Sequence, residues 1–322
     1  MIRVNRLTKK FGLTVAVDGI DFEIPKGQVV GFLGPNGAGK TTTMRLLTGY
    51  LPPDEGEATL MGHDLRTDSL EIRRHLGYLP ENNPLPDDIE ITDFLHFVGR
   101  LRGLHDLEHR MTRVKSVLKA CSLESVVGRK LGELSKGFRQ RVGLAQAIIH
   151  DPDILILDEP TSGLDPNQVQ EVRELIQSLK EEKTLLLSTH ILHEVQHTCD
   201  RVIIINKGKI VADGSPSDLM GAQQDVTRLF VSMKGSQNEI ESALRALPGV
   251  GRLNAQKSVD GVEDGFMIES ESGRDLRESV FHLAVEKRWP ILSLRQERLS
   301  LEEVFRALTQ FDSAGAEAPP HV

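Results

Sequence analysis

The chain has little of what builds a secreted, metal-stapled or membrane-spanning protein. It has two cysteines in 322 residues, Cys121 and Cys199. They lie far apart without metal-ligand spacing, which excludes a disulfide framework and suits small core residues in a reducing compartment. No apolar run approaches the roughly 18 residues of a membrane span, so the chain cannot itself form a helical pore. Its N-terminus, MIRVNRLTKKFG, lacks the apolar core of a signal peptide, and the protein is expected not to be secreted. Basic surplus is missing too: the net charge of −8 argues against nucleic acid as the main partner, because phosphate backbones are bound through excess Lys and Arg. What is there is ordinary globular composition, 39% hydrophobic and 27% charged, in a length that suits one large and one small domain.

One stretch organises the rest. Residues 27–47 read GQVVGFLGPNGAGKTTTMRLL, an apolar run, then G-x-x-x-x-G-K-[ST], then a helix-like segment. Glycines let the backbone curl with its N–H groups inward, and the helix starting near Lys40 adds the positive end of its dipole, so the loop cradles a phosphate chain. The binding set is Gly34, Asn36, Gly37, Ala38, Gly39, Lys40, Thr41 and Thr42. Lys40 reaches the β- and γ-phosphates, and the Thr41 hydroxyl ligates Mg²⁺.

The pattern around this loop predicts an α/β fold with a mostly parallel sheet. Ile2, Val4, Val15, Val17, Ile20, Phe22 and Ile24 alternate as an N-terminal antiparallel β part closed by Pro25 and Gly27. A short strand is expected at 58–61, and Ile72, His75 and Leu76 look helical. A helical insert runs from about 92 to 150, with Phe94, Phe97, Val98 and Leu101 at helical spacing and a last helix over 134–150. The continuous apolar runs Ile154–Leu157, Leu185–Leu187 and Val202–Ile205 are strands buried on both faces. A helix over 169–179 lies between the first two, as in a parallel sheet. Residues 1–220 therefore form the larger domain. Beyond it, 221–310 read as a smaller α+β unit in the order β-α-β-β-α-β, ferredoxin-like, followed by a helix over 300–309. Residues 311–322, rich in Ala, Gly and Pro, are expected to be a disordered tail.

The run Ile154–Leu157 delivers Asp158 and Glu159 at its carboxyl end, where α/β sheets bind ligands. Asp158 is placed to hold Mg²⁺ and Glu159 to polarise an attacking water. Between loop and acid pair lies LSKGFRQR, residues 134–141, at the start of a helix. Ser135 can cap that helix, and Gly137 leaves room for a γ-phosphate to approach the backbone.

With loop, LSKGFRQR and acid pair in this order, residues 1 to about 220 resemble the ATP-binding subunits of ABC transporters, whose signature L-S-x-G-x-x-Q-R is matched at every fixed position. The resemblance implies further roles. Ser162, Gly163, Leu164 and Asp165 look like the loop that spans the dimer interface; His190, in Ser188-Thr189-His190, looks like the switch histidine that meets the γ-phosphate. Phe11 stands where the family usually places an aromatic that stacks on adenine. The family's usual glutamine at the metal and attacking water is replaced by Glu81, as in the branch that serves ABC-2-type exporters; the added charge can disturb metal geometry or raise a neighbouring carboxylate pKa. Thus Glu159, His190 and Glu81 are the expected catalytic residues, Thr41, Asp158 and Glu81 the Mg²⁺ set, and Ser135, Gly137 and Asp165 complete a nucleotide site across the interface.

The same resemblance implies ATP and Mg²⁺, a second ATPase subunit (a homodimer), and a separate polytopic membrane subunit that receives the motion through the loop from Glu81 to Pro86 and the helical insert. It places the chain in the cytoplasm, on the inner face of the membrane. Leu299–Leu308 resembles the closing helix of ABC-2-type exporter ATPases. Two other readings stay open: a soluble ABC-type ATPase acting on ribosomes or DNA, whose relatives usually carry two cassettes or a long coiled-coil insert, and a nucleotide-gated module that does not hydrolyse. His193-Glu194-Val195-Gln196-His197 also spells the zinc-protease pattern H-E-x-x-H, but follows directly on His190 and has no evident third ligand.

Overall fold

Alternating apolar residues at the N-terminus fold into a hairpin of β1 (Ile2–Phe11) and β2 (Thr14–Ile24), whose inward residues Ile2, Val4, Leu7, Ile20 and Phe22 are buried. In this computed structural model, the residues described are 1–180, 182–221, 228–256, 264–270, 274–297 and 301–310. β4 (Glu55–Leu60) pairs antiparallel with β1, and β5 (His63–Asp64) extends this four-stranded sheet. The Phe22 ring meets Phe32 of β3 (Val29–Leu33) with centroids 5.8 Å apart, joining the antiparallel sheet to the main one through a shared apolar core.

The main sheet contains β3, β6 (Leu76–Leu79), β7 (Ile154–Asp158), β8 (Thr184–Thr189), β9 (Arg201–Asn206) and β10 (Lys209–Gly214), in the order β10-β9-β3-β8-β7-β6. All neighbours are parallel except the β9–β10 pair. β3, β7 and β8 are buried along their whole length, as expected of apolar runs covered on both faces. α1 (Lys40–Leu47) follows β3, and α2 (Ser69–His75) precedes β6. The insert supplies α3 (Ile91–Leu101), α4 (Leu107–Ala120) and α5 (Lys136–Ile148); α6 (Pro166–Lys180) and α7 (Leu192–Thr198) follow β7 and β8.

Several expectations change. Leu76 is not helical but opens β6, opposite Ile154, because Gly77 lies against α5 so tightly that a Cβ there would stand 2.2 Å from the Ala147 carbonyl oxygen. The strand expected at 58–61 starts earlier, at Glu55, and the helix expected over 134–150 is confined to 136–148, Ser135 being its N-cap. β5 and β10 were not anticipated. β10 folds back on β9 through Lys207-Gly208, both with positive φ (47° and 80°), the two-residue turn that suits a twisted hairpin.

Met1–Pro216, with residues 307–310, form one compact unit and Ser217–Arg306 a second, which opens with α8 (Pro216–Gly221) at its boundary. In the second unit β11 (Arg228–Met233), β12 (Val250–Gln256), β13 (Gly265–Ser270) and β14 (Ile291–Glu297) make an antiparallel sheet in the order β12-β13-β11-β14. α9 (Gln237–Arg245) and α10 (Arg277–Lys287) bury Ile240, Leu244, Val280 and Ala284 against Leu229, Val231 and Ile268, which is the ferredoxin-like arrangement. α11 spans Leu301–Gln310, and Glu303 on it pairs with Arg228. The expected tail 311–322 and residue 300, the first of the helix expected over 300–309, lie outside the described residues.

One buried group makes the fold sensitive to acid. His150, after α5, bonds the Leu76 carbonyl through Nε2 (3.2 Å), while its buried Nδ1 has no partner among the described residues. Burial, with Arg102 nearby, lowers its pKa to about 4. The folded state thus holds the imidazole neutral, and its contribution to stability is present above pH 6.5 and lost as pH falls towards 4, because the unfolded chain binds the proton first. Between pH 7.5 and 4 the urea midpoint of His150→Gln is expected to fall less than that of the parent, by about 2–3 kcal/mol of stability.

Candidate active site

The parallel strands end together, and the side chains singled out by the sequence gather at that edge. α1 begins at Lys40 because Gly39, at φ 112°, turns the chain in the left-handed region. No larger residue fits: a Cβ on Gly39 would stand 2.5 Å from the Ala16 carbonyl oxygen. The turn folds the Lys40 ammonium back on its own loop, where it donates to Gly34 O (2.7 Å) and Pro35 O (3.3 Å) and lies 3.6 Å from Glu159 Oε1. Lys40 and Glu159 are each 6% exposed.

Asp158 ends β7 fully buried. Its Oδ1 accepts from Ser188 Oγ at 2.5 Å and Thr41 Oγ1 at 3.3 Å, and its Oδ2 has no partner among the described residues. Burial raises its pKa, Ser188, Thr41 and Lys40 oppose that rise, and the Glu81 charge adds to it. The like-charge effect expected of Glu81 therefore falls on Asp158. A hydroxyl, a buried carboxylate with an orphan oxygen and a surrounding excess of negative charge fit a hard divalent cation, so Thr41 and Asp158 are the residues that would hold Mg²⁺. Tyr78, behind them on β6, is kept as a neutral phenol: burial, with Asp158 nearby, pushes its pKa up to about 12.

Glu159 adopts φ 50°, a left-handed conformation uncommon outside glycine. Its N–H donates to Ser188 Oγ (3.0 Å), and its Oε2 lies 2.8 Å from His190 Nδ1. Strain of this kind recurs where a side chain must be aimed. Glu159 therefore stands between an ammonium and an imidazole, facing a cavity of about 310 Å³.

Asn36, Gly37, Gly39, Lys40, Thr41 and Thr42 line that cavity, with Glu81 and Glu159 across from them. Gly34 and Ala38 instead shape the loop from behind: a Cβ on Gly34 would meet Ile205, and Ala38 O accepts from Gly208 N. Ala16, on β2, joins the lining; nothing in the sequence pointed to it, since only the folded hairpin brings it to the loop. Phe11, Ser135, Gly137 and Asp165 do not line the cavity. Phe11 is half exposed, with Lys9 Nζ 5.8 Å from its ring centroid. Asp165 caps α6, its Oδ1 accepting from the Asn167 and Gln168 N–H groups at 3.0 Å each.

Ser135 caps α5 by accepting from Phe138 N (3.4 Å), and Gly137 packs so closely on Gln168 that a Cβ would lie 2.2 Å from its Oε1. One turn on, Arg139 fastens the loop after Glu81: its guanidinium donates to Asp87 Oδ1 (2.7 Å), Leu131 O (3.0 Å) and Leu85 O (3.1 Å), while Asn83 Nδ2 donates back to Arg139 O (3.0 Å). H-E-x-x-H does not build a protease site here, because Glu194 is buried and its Oε2 already accepts from Thr161 Oγ1 and Thr189 Oγ1.

Glu81→Gln, which removes the charge but keeps the shape, is expected to retain ATP turnover within about tenfold, by relieving the repulsion on Asp158. Complete loss in a steady-state assay would show that the carboxylate itself is required.

The family profile described as "ABC transporter" matches residues 17–162. The Nod factor export ATP-binding protein I of Cupriavidus pinatubonensis is 38% identical over 224 residues, 69% of this chain and 69% of that protein. The probable multidrug ABC transporter ATP-binding protein YbhF of Escherichia coli is 38% identical over 220 residues, 68% of this chain but only 38% of that longer relative. Among solved structures, a dimeric post-hydrolysis state of the ATP-binding cassette MJ0796 bound to ADP and Pi superposes with a TM-score of 0.62 at 26% identity, covering 67% of this chain and 98% of the cassette. With the loop, the acid pair and His190 gathered at one sheet edge, this likeness decides the matter: the chain belongs to the ABC transporter family, as one of its ATP-binding proteins.

Proposed function

We propose that the chain is the Mg²⁺-dependent ATPase subunit of a membrane exporter of ABC-2 type, and that it works by ATP-driven closure of a dimer. The observation that supports hydrolysis most directly is Glu159 held between Lys40 and His190 at the mouth of the phosphate loop. Lys40 exchanges the Gly34 and Pro35 carbonyls for phosphate oxygens, which releases Glu159 from the ion pair and leaves its carboxylate free to take a proton from water. His190 orients that carboxylate through Nδ1. Bound Mg²⁺ would neutralise charge on the phosphates, with Thr41 and Asp158 as its protein ligands.

Ser135 is exposed and lies outside the cavity lining, as a residue that serves a neighbouring subunit must. In the proposal Ser135, Gly137 and Asp165 form the second wall of a site whose first wall is the loop of another copy, and Phe11 stacks on adenine. ATP then acts as interfacial glue, since its charge is satisfied only when both walls close. The MJ0796 cassette dimer supports this arrangement. Among the described residues no helix is long and apolar enough to cross a membrane, so a separate polytopic subunit is proposed to carry the cargo path, with this chain peripheral on the cytoplasmic face. The name of the Nod factor export relative supports that direction of transport.

Purified chain is expected to hydrolyse ATP, and Glu159→Gln to stop turnover while trapping an ATP-bound dimer in size-exclusion chromatography. Lys40→Ala should lose both turnover and dimerisation; a Lys40→Ala chain that still dimerises with ATP would refute the two-walled site. For the membrane subunit, Asn82 is the position to probe, because it is exposed whereas neighbouring Asn83 is engaged on α5. A photocrosslinker at Asn82 should capture a polytopic membrane protein, and capture of none in any nucleotide state would refute the docking surface.

A further inference from the structure

The sequence pattern H-E-x-x-H leaves one residue whose place in the structure the ATPase roles above do not explain. Glu194 lies in the first turn of α7, is 4% exposed, and uses one oxygen for two bonds: Oε2 accepts from Thr161 Oγ1 at 2.8 Å and from Thr189 Oγ1 at 3.1 Å. Both hydroxyls are themselves buried, Thr161 at 5% and Thr189 at 0% exposure. Thr161 follows Glu159-Pro160 in the loop leaving β7; Thr189 ends β8 and precedes His190. Thr189 Oγ1 also accepts from Ile191 N at 3.0 Å, so the backbone on both sides of His190 is fixed through this one hydroxyl.

We propose that Glu194 is a positioning residue for hydrolysis: its carboxylate oxygen clamps the loop after Glu159 to the turn that carries His190, and so sets the 2.8 Å contact between them. The inference rests on Glu159 and His190 acting in ATP hydrolysis. The His190 side chain is 49% exposed, so packing does not hold it; its placement depends on its backbone anchors and on Glu159. An acceptor is required at Glu194 because Thr161 and Thr189 both donate, and a buried hydroxyl without an acceptor is costly. The phosphate loop makes no contact with Glu194 among the bonds described, so the proposal expects KM for ATP to be insensitive to Glu194.

The test compares Glu194→Leu, Glu194→Gln and Val195→Ala in the full chain, with kcat, KM for ATP and melting temperature for each. Val195 is the control for a loosened α7: it is fully buried, packs on Gly31 of β3, and touches neither Glu159 nor His190 among the described contacts. Glu194→Leu is expected to lower kcat by about 10- to 100-fold with KM unchanged, the loss that follows small misplacement of reacting groups. Glu194→Gln, whose amide oxygen accepts both hydroxyls, should keep kcat within about threefold of the parent. Val195→Ala should lose thermal stability without losing kcat. Loss of kcat in parallel with melting temperature across all three, a change in KM alone, or failure of the glutamine to restore kcat would overturn the proposal. An inactive parent chain would instead overturn the ATPase reading, and this inference with it.

Discussion

The site is organised by one buried ammonium. Lys40 is almost wholly removed from water, and such a charge persists only where oxygens surround it; removing a partner from a buried ion pair costs about 3–5 kcal/mol. Two backbone distortions serve that need. The left-handed turn at Gly39 brings the lysine back over the Gly34 and Pro35 carbonyls, and the left-handed Glu159 brings a carboxylate up to face it. The first is open to glycine and closed to larger residues by the Ala16 carbonyl behind it; the second is unfavourable in isolation and is held by the Ser188 hydroxyl beneath the Glu159 N–H. In the proposed reaction a phosphate arriving here would replace a polar environment already arranged, leaving little reorganisation for the moment of reaction.

What was legible in the sequence follows from how local each signal is. β3, β7, β8 and β9 declare themselves because strands covered on both faces need unbroken apolar runs, and the sheet edge they reach is where the loop and acid pair had to meet. The second unit was readable only as an order of strands and helices, whose apolar residues meet in one core. Leu76 misled because its spacing from Ile72 fits a helix, while the packing of Gly77 against Ala147 that stops the helix is a contact between distant segments. β10 alternates between exposed and half-buried residues at an edge, too weak a pattern to separate from a loop. Ala16, Glu194 and Arg139 belong to the site only through tertiary contacts, and no local period encodes those.

The acidic substitution at Glu81 also gains a physical meaning. It adds charge to a group of carboxylates that already includes one fully buried and one strained, and its effect is felt at Asp158, the residue best suited to hold a cation. This grouping of carboxylates favours a positive ion beside Asp158.

Arg139 gives the helical insert a mechanical hold on this chemistry. Its guanidinium grips the loop at Leu85 and Asp87 while Asn83 grips the helix in return, so α5 and the segment leading from Glu81 behave as a single lever with the Ser135 cap at one end and a cavity carboxylate at the other. A tilt of α5 that moves Ser135 must also tug on the segment that carries Glu81. The surface that reaches outward and the pocket that faces inward are therefore geared together within one polypeptide, and neither can be reset without disturbing the other.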